Sequence, residues 1–266
     1  ASEQAVRRLS PDDLDGAVAI DRDIVGHSRR GYFEKRLAAA LRDPGNHIQF
    51  GIDGPSGLEA FILTRVLSGE FGLETPAVAL EVIDVAPAQQ HHGHGGALLV
   101  ALEAEMRSRG LSELQTSIVW TDHGMAKFFG DHGFVKAQRH IIGCAVDQID
   151  RAAVEEEFED GPDDPDRADT AEALSGDGVE VASLAKQDLD ALVLIDRKLT
   201  GRGRRDYMLS KIDEALVDSG IRVSLTARSD GIVLGYLMAR LDFGDFGRAS
   251  PVAVIDTVGV HPDFGG

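Results

Sequence analysis

The chain has 266 residues, 43% hydrophobic and 27% charged, the balance of a globular protein with room for one large or two ordinary domains. Its formal net charge of -18 repels phosphate backbones, and no local basic face offsets this, so nucleic acid is excluded as the expected partner. No apolar run is long enough to cross a bilayer and ASEQAVRRL lacks the apolar centre of a signal peptide; with Cys144 the only cysteine, neither a disulfide framework nor a cysteine metal cluster is expected, and the expectation is a cytoplasmic protein without membrane contact.

From the N-terminus, Ala5 to Leu9 reads as a short strand, and Ser10-Pro11-Asp12-Asp13 as a capped helix start with proline in its first turn. Helical spacing carries Leu14, Val18 and Ile20, and a second helix is predicted from about Tyr32 to Leu41. Strands are predicted over His47 to Ile52, Leu58 to Leu67 and Val78 to Val85, the first two joined by the turn DGPSG. The loop QQHHGHGG, Gln89 to Gly96, leads into the longest predicted helix, Ala97 to Arg109, which Gly110 ends. A strand from Leu114 to Trp120, a helix from Gly124 to Asp131 and strands from Phe134 to Val146 follow. The fold class is therefore α+β, a mixed α/β layer around one central sheet.

The segment AIDRDIVGHSRRGYF (Ala19 to Phe33) returns as LIDRKLTGRGRRDYM (Leu194 to Met208), an offset of 175 residues. At the same offset Arg65 meets Arg240, Pro76 meets Pro251, Glu81 meets Asp256 and Pro87 meets Pro262. The pattern predicts a tandem duplication: a first copy over 1–150, an acidic linker over 151–177 and a partial second copy over 178–266. Glu155 to Asp169 holds nine acids and one arginine, too little to bury, and reads as an exposed or flexible linker.

The loop QQHHGHGG has two readings. His91, His92 and His94 could supply imidazoles to a metal, but one short loop seldom completes a tetrahedral site, and no HExxH or cysteine pair helps. Glycines between a strand and a long helix let backbone N–H groups face an anion, with the helix start adding positive potential. That reading favours a pyrophosphate and no metal.

VAPAQQHHGHGG (Val85 to Gly96) resembles the acyl-CoA loop of the GNAT acetyltransferase superfamily, VxP followed by Q/RxxGxG/A, with Gln90, Gly93 and Gly95 at the Q/R and the two small positions. MAKFFGDHGF (Met125 to Phe134) supplies the Ala126 and Gly133-Phe134 of that family's later helix. The resemblance implies the GNAT fold and an acyl-CoA-dependent N-acyltransferase, acetyl-CoA being the expected co-substrate. A small-molecule or protein amine would attack the thioester directly in a ternary complex. It implies a cofactor loop of Val85, Gln90, His91, His92, Gly93, His94, Gly95 and Gly96, with the backbone N–H near Val85 on the thioester carbonyl. For the base, the family places a carboxylate on the preceding strand. Glu81 and Asp84 are available, alternation puts them on opposite faces, and Glu81 is favoured. Arg29 and Arg30, in a region that often walls the acceptor site, could bind an acidic group there or form an ion-paired corner. His123 stands where the family has Asn, and Phe129 where it has the Tyr that protonates the departing thiolate; both are expected near the acceptor. The alternatives are a CoA-binding regulatory or scaffolding protein that has lost chemistry and an acyl-CoA decarboxylase.

In the second copy, HPDFGG (His261 to Gly266) is similar to the entry of the same loop, with Gly265 in the Q/R position, and the loop's glycines and long helix do not follow. The expectation is a longer parent chain, one CoA site in the first copy, and an apolar strand Val252 to Val260 covered by the first copy or by another chain, as in a homodimer.

Overall fold

The computed structural model describes residues 5–70, 75–137, 143, 178–218, 223–242 and 252–264. In the first half β1 (Val6–Arg8), β2 (His47–Gly54), β3 (Gly57–Leu67), β4 (Ala77–Val85) and β5 (Glu113–Gln115) form one sheet in that order, antiparallel except for the parallel pair β4–β5. Helices α1 (Leu14–Val25) and α2 (Arg30–Arg42) precede β2, α3 (His94–Ser108) joins β4 to β5, and α4 (His123–Asp131) follows β5. Ser10 and Asp13 close a reciprocal cap ahead of α1, where the sequence placed a helix start.

Period-two alternation in the strands divides the core into two layers. Ile48, Ile62, Val78 and Leu80 pack beneath Leu98, Leu99, Leu102 and Met106 of α3. On the other face Phe61, Leu63 and Val82 meet Ala17, Val18 and Ile20 of α1 and Phe33 of α2. Leu80 and Val82 would share a face in a regular strand. They do not, because Leu63 pairs with Val82 and Thr64 with Leu80, leaving Glu81 as the extra residue of a β-bulge.

The bulge corrects one expectation. Glu81 and Asp84 do not point to opposite faces: Glu81 reaches Arg36 of α2, and Asp84 lies beside Asp21 of α1. Two other expectations change in extent. The strand expected from Leu114 to Trp120 is β5 alone, after which the chain leaves the sheet, and Trp120 is exposed. Residues 134–137 form no strand, and the rest of the strands expected up to Val146, together with the acidic linker, lie outside the described residues.

The second half has β6 (Glu180–Ser183), α5 (Leu189–Thr200), α6 (Arg205–Asp213), a π-helical turn (Glu214–Asp218), β7 (Leu225–Ser229), β8 (Ile232–Asp242) and β9 (Val252–Val260). Its four strands pair in sequence order. The bounds of α5, β8 and β9 repeat those of α1, β3 and β4 at the offset of the sequence repeat. Of β9, which the sequence expects to be covered by the first half or by another chain, Ile255, Val258 and Val260 are exposed.

Charged side chains join the two halves. Glu81 accepts from Arg36 at 2.5 Å and Arg65 at 3.1 Å. Across the boundary, Glu214 takes Arg65 at 3.2 Å and Lys211 meets Glu70 at 2.7 Å; within the second half Lys211 also reaches Glu214 at 2.7 Å and Asp256 at 3.4 Å. Arg240 completes the set on Asp256. Four cations thus face four anions, a balance that makes their burial tolerable. The cations hold the carboxyls of Glu70 and Glu214 below the ordinary 4.5, against burial, which alone would raise them. A depressed carboxyl contributes stability that is present above its unfolded pKa and is lost as pH falls. The boundary is therefore expected to loosen in acid from about pH 4.5 downward, read as a fall in melting temperature that Glu214→Gln reduces.

Candidate active site

The sheet opens where β5 ends. Ladder pairing between β4 and β5 runs only from Ala77 with Glu113 to Ala79 with Gln115, while β4 continues to Val85. The Thr116 hydroxyl donates to the Leu80 carbonyl at 2.9 Å and closes the base of the fork. Beyond it lies a cavity of about 750 Å³, bounded by β4 from Leu80 to Val85, Thr116 to Val119, the start of α3 and one face of α4.

The loop and α3 form one end of this cavity. Gly93 is the N-cap residue with φ 87°, a left-handed conformation that suits glycine, and no side chain caps the helix. The first donor inside the helix is the Ala97 N–H, to the Gly93 carbonyl at 3.0 Å, so the N–H groups of His94, Gly95 and Gly96 have no acceptor within it. They mark the positive end of a 15-residue helix. A Cβ on Gly95 would lie 3.0 Å from the Phe128 ring, and one on Gly96 would lie 3.0 Å from His132 Nε2. The loop needs small residues there to sit against α4. Gln90 folds back, its Nε2 donating to the Val85 carbonyl at 3.3 Å.

The three histidines diverge. His91 and His92 are exposed, His91 with φ 65°, whereas His94 is buried with Nε2 3.4 Å from Glu59. No group of three His, Cys, Asp or Glu among the described residues could hold a metal ion.

The expected acceptor residues separate in the same way. Arg29 lines the cavity but is buried, both arms on Asp21, one at 3.0 Å, with its guanidinium over the Tyr32 and Phe33 rings. Arg30 lies outside the cavity, exposed on Asp15 and Glu34. Both belong to the ion-paired corner, the second of the two readings. Glu81 lines the cavity, but its carboxylate is committed to Arg36 and Arg65. Asp84 also lines it, and one of its oxygens, Oδ2, is buried without a hydrogen-bond partner. Burial and the neighbouring Asp21 push the Asp84 carboxyl up to about 7, with Arg29 opposing.

On α4, His123 is exposed and does not line the cavity, whereas Asp122 does, and it caps the helix by accepting from the Met125 N–H at 2.9 Å. The polar residue opening this helix is thus one place earlier than the resemblance put it. The signal, an Asp three residues before Met125, was available in the sequence. Phe129 borders the cavity from the core, its ring packed on Phe128 and Phe134.

No protein-family model matches the chain, and comparison with curated proteins gives no match. Among solved structures, the GCN5-related glucosamine N-acetyltransferase region of a fungal multi-domain β-N-acetylglucosaminidase superposes on 99% of this chain and 32% of its own, with a TM-score of 0.59 at 14% identity. This is the GNAT fold. The PaiA N-acetyltransferase of Thermoplasma acidophilum in complex with coenzyme A covers 52% of this chain and 93% of its own, at 18% identity and a TM-score of 0.41. An aminoglycoside 6'-N-acetyltransferase of Acinetobacter haemolyticus covers 55% and 99%, at 16% and 0.46. The bulge in β4, the fork and the glycine-shaped helix start all border the one cavity described, and among the described residues no helix is long and apolar enough to cross a membrane.

Proposed function

We propose that the chain is an acetyl-CoA-dependent N-acyltransferase whose site is the fork between β4 and β5. The observation that carries this reading is the coincidence, in one cavity, of a glycine-shaped helix start offering unbonded N–H groups and a strand edge that β5 leaves unpaired. The N–H groups of His94, Gly95 and Gly96 suit a pyrophosphate. The free edge of β4 suits the amides of a pantetheine arm, and a backbone N–H near Val85 suits the thioester carbonyl as charge develops on it. Acetyl-CoA supplies the activated acyl group; the protein holds it and brings an amine to it. A net charge of -18 favours cationic amines in the encounter, small or on a protein surface.

The second half, in this reading, is a support joined through the charge network, with the first half over 1–150 carrying the site. A second reading, a CoA-binding protein without chemistry, is favoured by Phe129, which cannot donate a proton to the leaving sulfur. Thiol release from acetyl-CoA across a panel of amines separates the two. Turnover with at least one amine is expected, and tight binding with no amine-dependent release would install the second reading. Phe129→Tyr is expected to keep the fold and leave turnover equal or higher, since the ring borders the cavity. A large loss in the same assay would make Phe129 a shaping residue of the pocket.

A further inference from the structure

We infer that the acceptor of the proposed transfer is a small monoamine whose substituent is uncharged and apolar, an alkylamine or arylalkylamine rather than a polyamine, an aminoglycoside or an amino acid. The inference rests on the acyltransferase reading and names its substrate class. Two observations carry it, the exposed surface of the cavity and the way the charges around it are spent.

The cavity passes the free edge of β4 and touches both layers of the core. Val82 belongs to the layer beside α1, Ile83 and Val85 to the layer beneath α3, and all three line it. The helix start that suits a pyrophosphate lies in the α3 layer, whereas α1 contributes Ile24 and Val25. Much of the accessible lining is apolar. Ile24 is 43% exposed, Ile118 37% and Val119 62%. Apolar groups left open to water on a cavity wall gain free energy from a ligand group that covers them.

The charges leave little for a polar ligand. Arg29 is the one lysine or arginine among the described lining residues, and both arms of its guanidinium are on Asp21. A carboxylate on the acceptor would therefore be desolvated without an open guanidinium or ammonium to receive it. Three acids line the cavity. Glu81 is held by Arg36 and Arg65, and Asp122 accepts from the Met125 N–H at the positive start of α4. Asp84 lies with Asp21 and Arg29, two carboxyls to one guanidinium, a set with one negative charge left to balance. One ammonium fits that balance, and a second would have no partner of its own. This holds over the whole lining, whichever mouth admits the amine.

In the transfer the acetyl carbon leaves the sulfur of coenzyme A as the C–S bond breaks and joins the amine nitrogen as the C–N bond forms. The ammonium loses two protons in becoming an amide, one appearing on the thiol and one in solvent.

The experiment is thiol release from acetyl-CoA with n-alkylamines from ethyl to hexyl, and with hexylamine against its diamine analogue and the ω-amino acid of the same length. In wild type, kcat/KM is expected to rise about threefold per methylene until the apolar wall is covered. Hexylamine should exceed the diamine and the amino acid by about tenfold or more. Ile24→Glu should lower kcat/KM for hexylamine about tenfold and raise it for the diamine, with acetyl-CoA affinity within about twofold of wild type. Ile24→Lys should lose hexylamine alike and gain nothing with the diamine. Leu199, which repeats Ile24 on α5 and is exposed outside the cavity, gives the control: Leu199→Glu should leave the whole panel within about twofold. A flat alkylamine series, a diamine or amino acid used as well as hexylamine, or turnover only with amines outside the series overturns the substrate class and leaves the acyltransferase reading standing. A wild type with no amine-dependent release overturns both.

Discussion

Gly95→Val is expected to lower the affinity for acetyl-CoA by about a hundredfold or more. The new Cβ would lie 3.0 Å from Phe128, on a ring that itself packs against His132, so the loop must move away from α4. Moving it takes the Gly95 and Gly96 N–H groups off the anion. Each hydrogen bond to a charged group contributes about 1.5–3 kcal/mol, so losing two spans roughly two to four decades of affinity. His91→Ala with His92→Ala is expected to change affinity by less than about threefold, since both rings are exposed and neither caps the helix. His94 is not part of that control because it is buried against Glu59. Calorimetric titration of the three proteins checks this. Equal losses in the glycine and histidine variants would mean that side chains, not backbone, hold the ligand.

Glu81→Ala and Asp84→Asn should act in opposite directions on stability, although both remove a carboxylate from β4. Without Glu81, two buried guanidinium groups lose their shared partner, and breaking a buried pair this way costs about 3–5 kcal/mol. For a protein of this size that is a fall in melting temperature on the order of 10 °C. The break would also reach the second half, since Arg65 bridges Glu81 to Glu214. Asp84 is the reverse case. Its folded pKa lies above the ordinary 3.8, so its ionisation costs stability that grows as pH rises from about 4 and is complete above about 7. Asp84→Asn is expected to melt at or above wild type at pH 8 and to lose that advantage at pH 4. Thermal melts at the two pH values decide it. A Glu81→Ala protein as stable as wild type would remove the charge network from the account of how the halves are joined.

The strands, the helices and the glycine loop were legible because local chemistry sets them. Alternation fixed β2, β3 and β4, and the positive φ of Gly93 is what a glycine between strand and helix announces. The faces of Glu81 and Asp84 were not legible. They depend on a one-residue bulge, and no local pattern distinguishes a bulged strand from a regular one until its neighbour is in place. The partners of Arg65, Arg36 and Glu81 were hidden for a related reason. Their recurrence as Arg240, Lys211 and Asp256 was visible in the sequence, but only the packing of the halves shows that these charges meet Glu214 and Glu70. His94 stands beside two other loop histidines, and nothing in the local sequence sets it apart from them. Its burial follows from its place as the first residue of α3, which turns it toward Glu59 of β3.

A single acyl-CoA site is expected, built by the N–H groups at the start of α3 and the fork beyond Leu80. Isothermal titration of the whole chain with acetyl-CoA measures it most directly. The expected result is one molecule bound per chain, with binding abolished or reduced about a hundredfold in Gly95→Val. Two molecules bound per chain, or binding that survives Gly95→Val undiminished, would contradict the account.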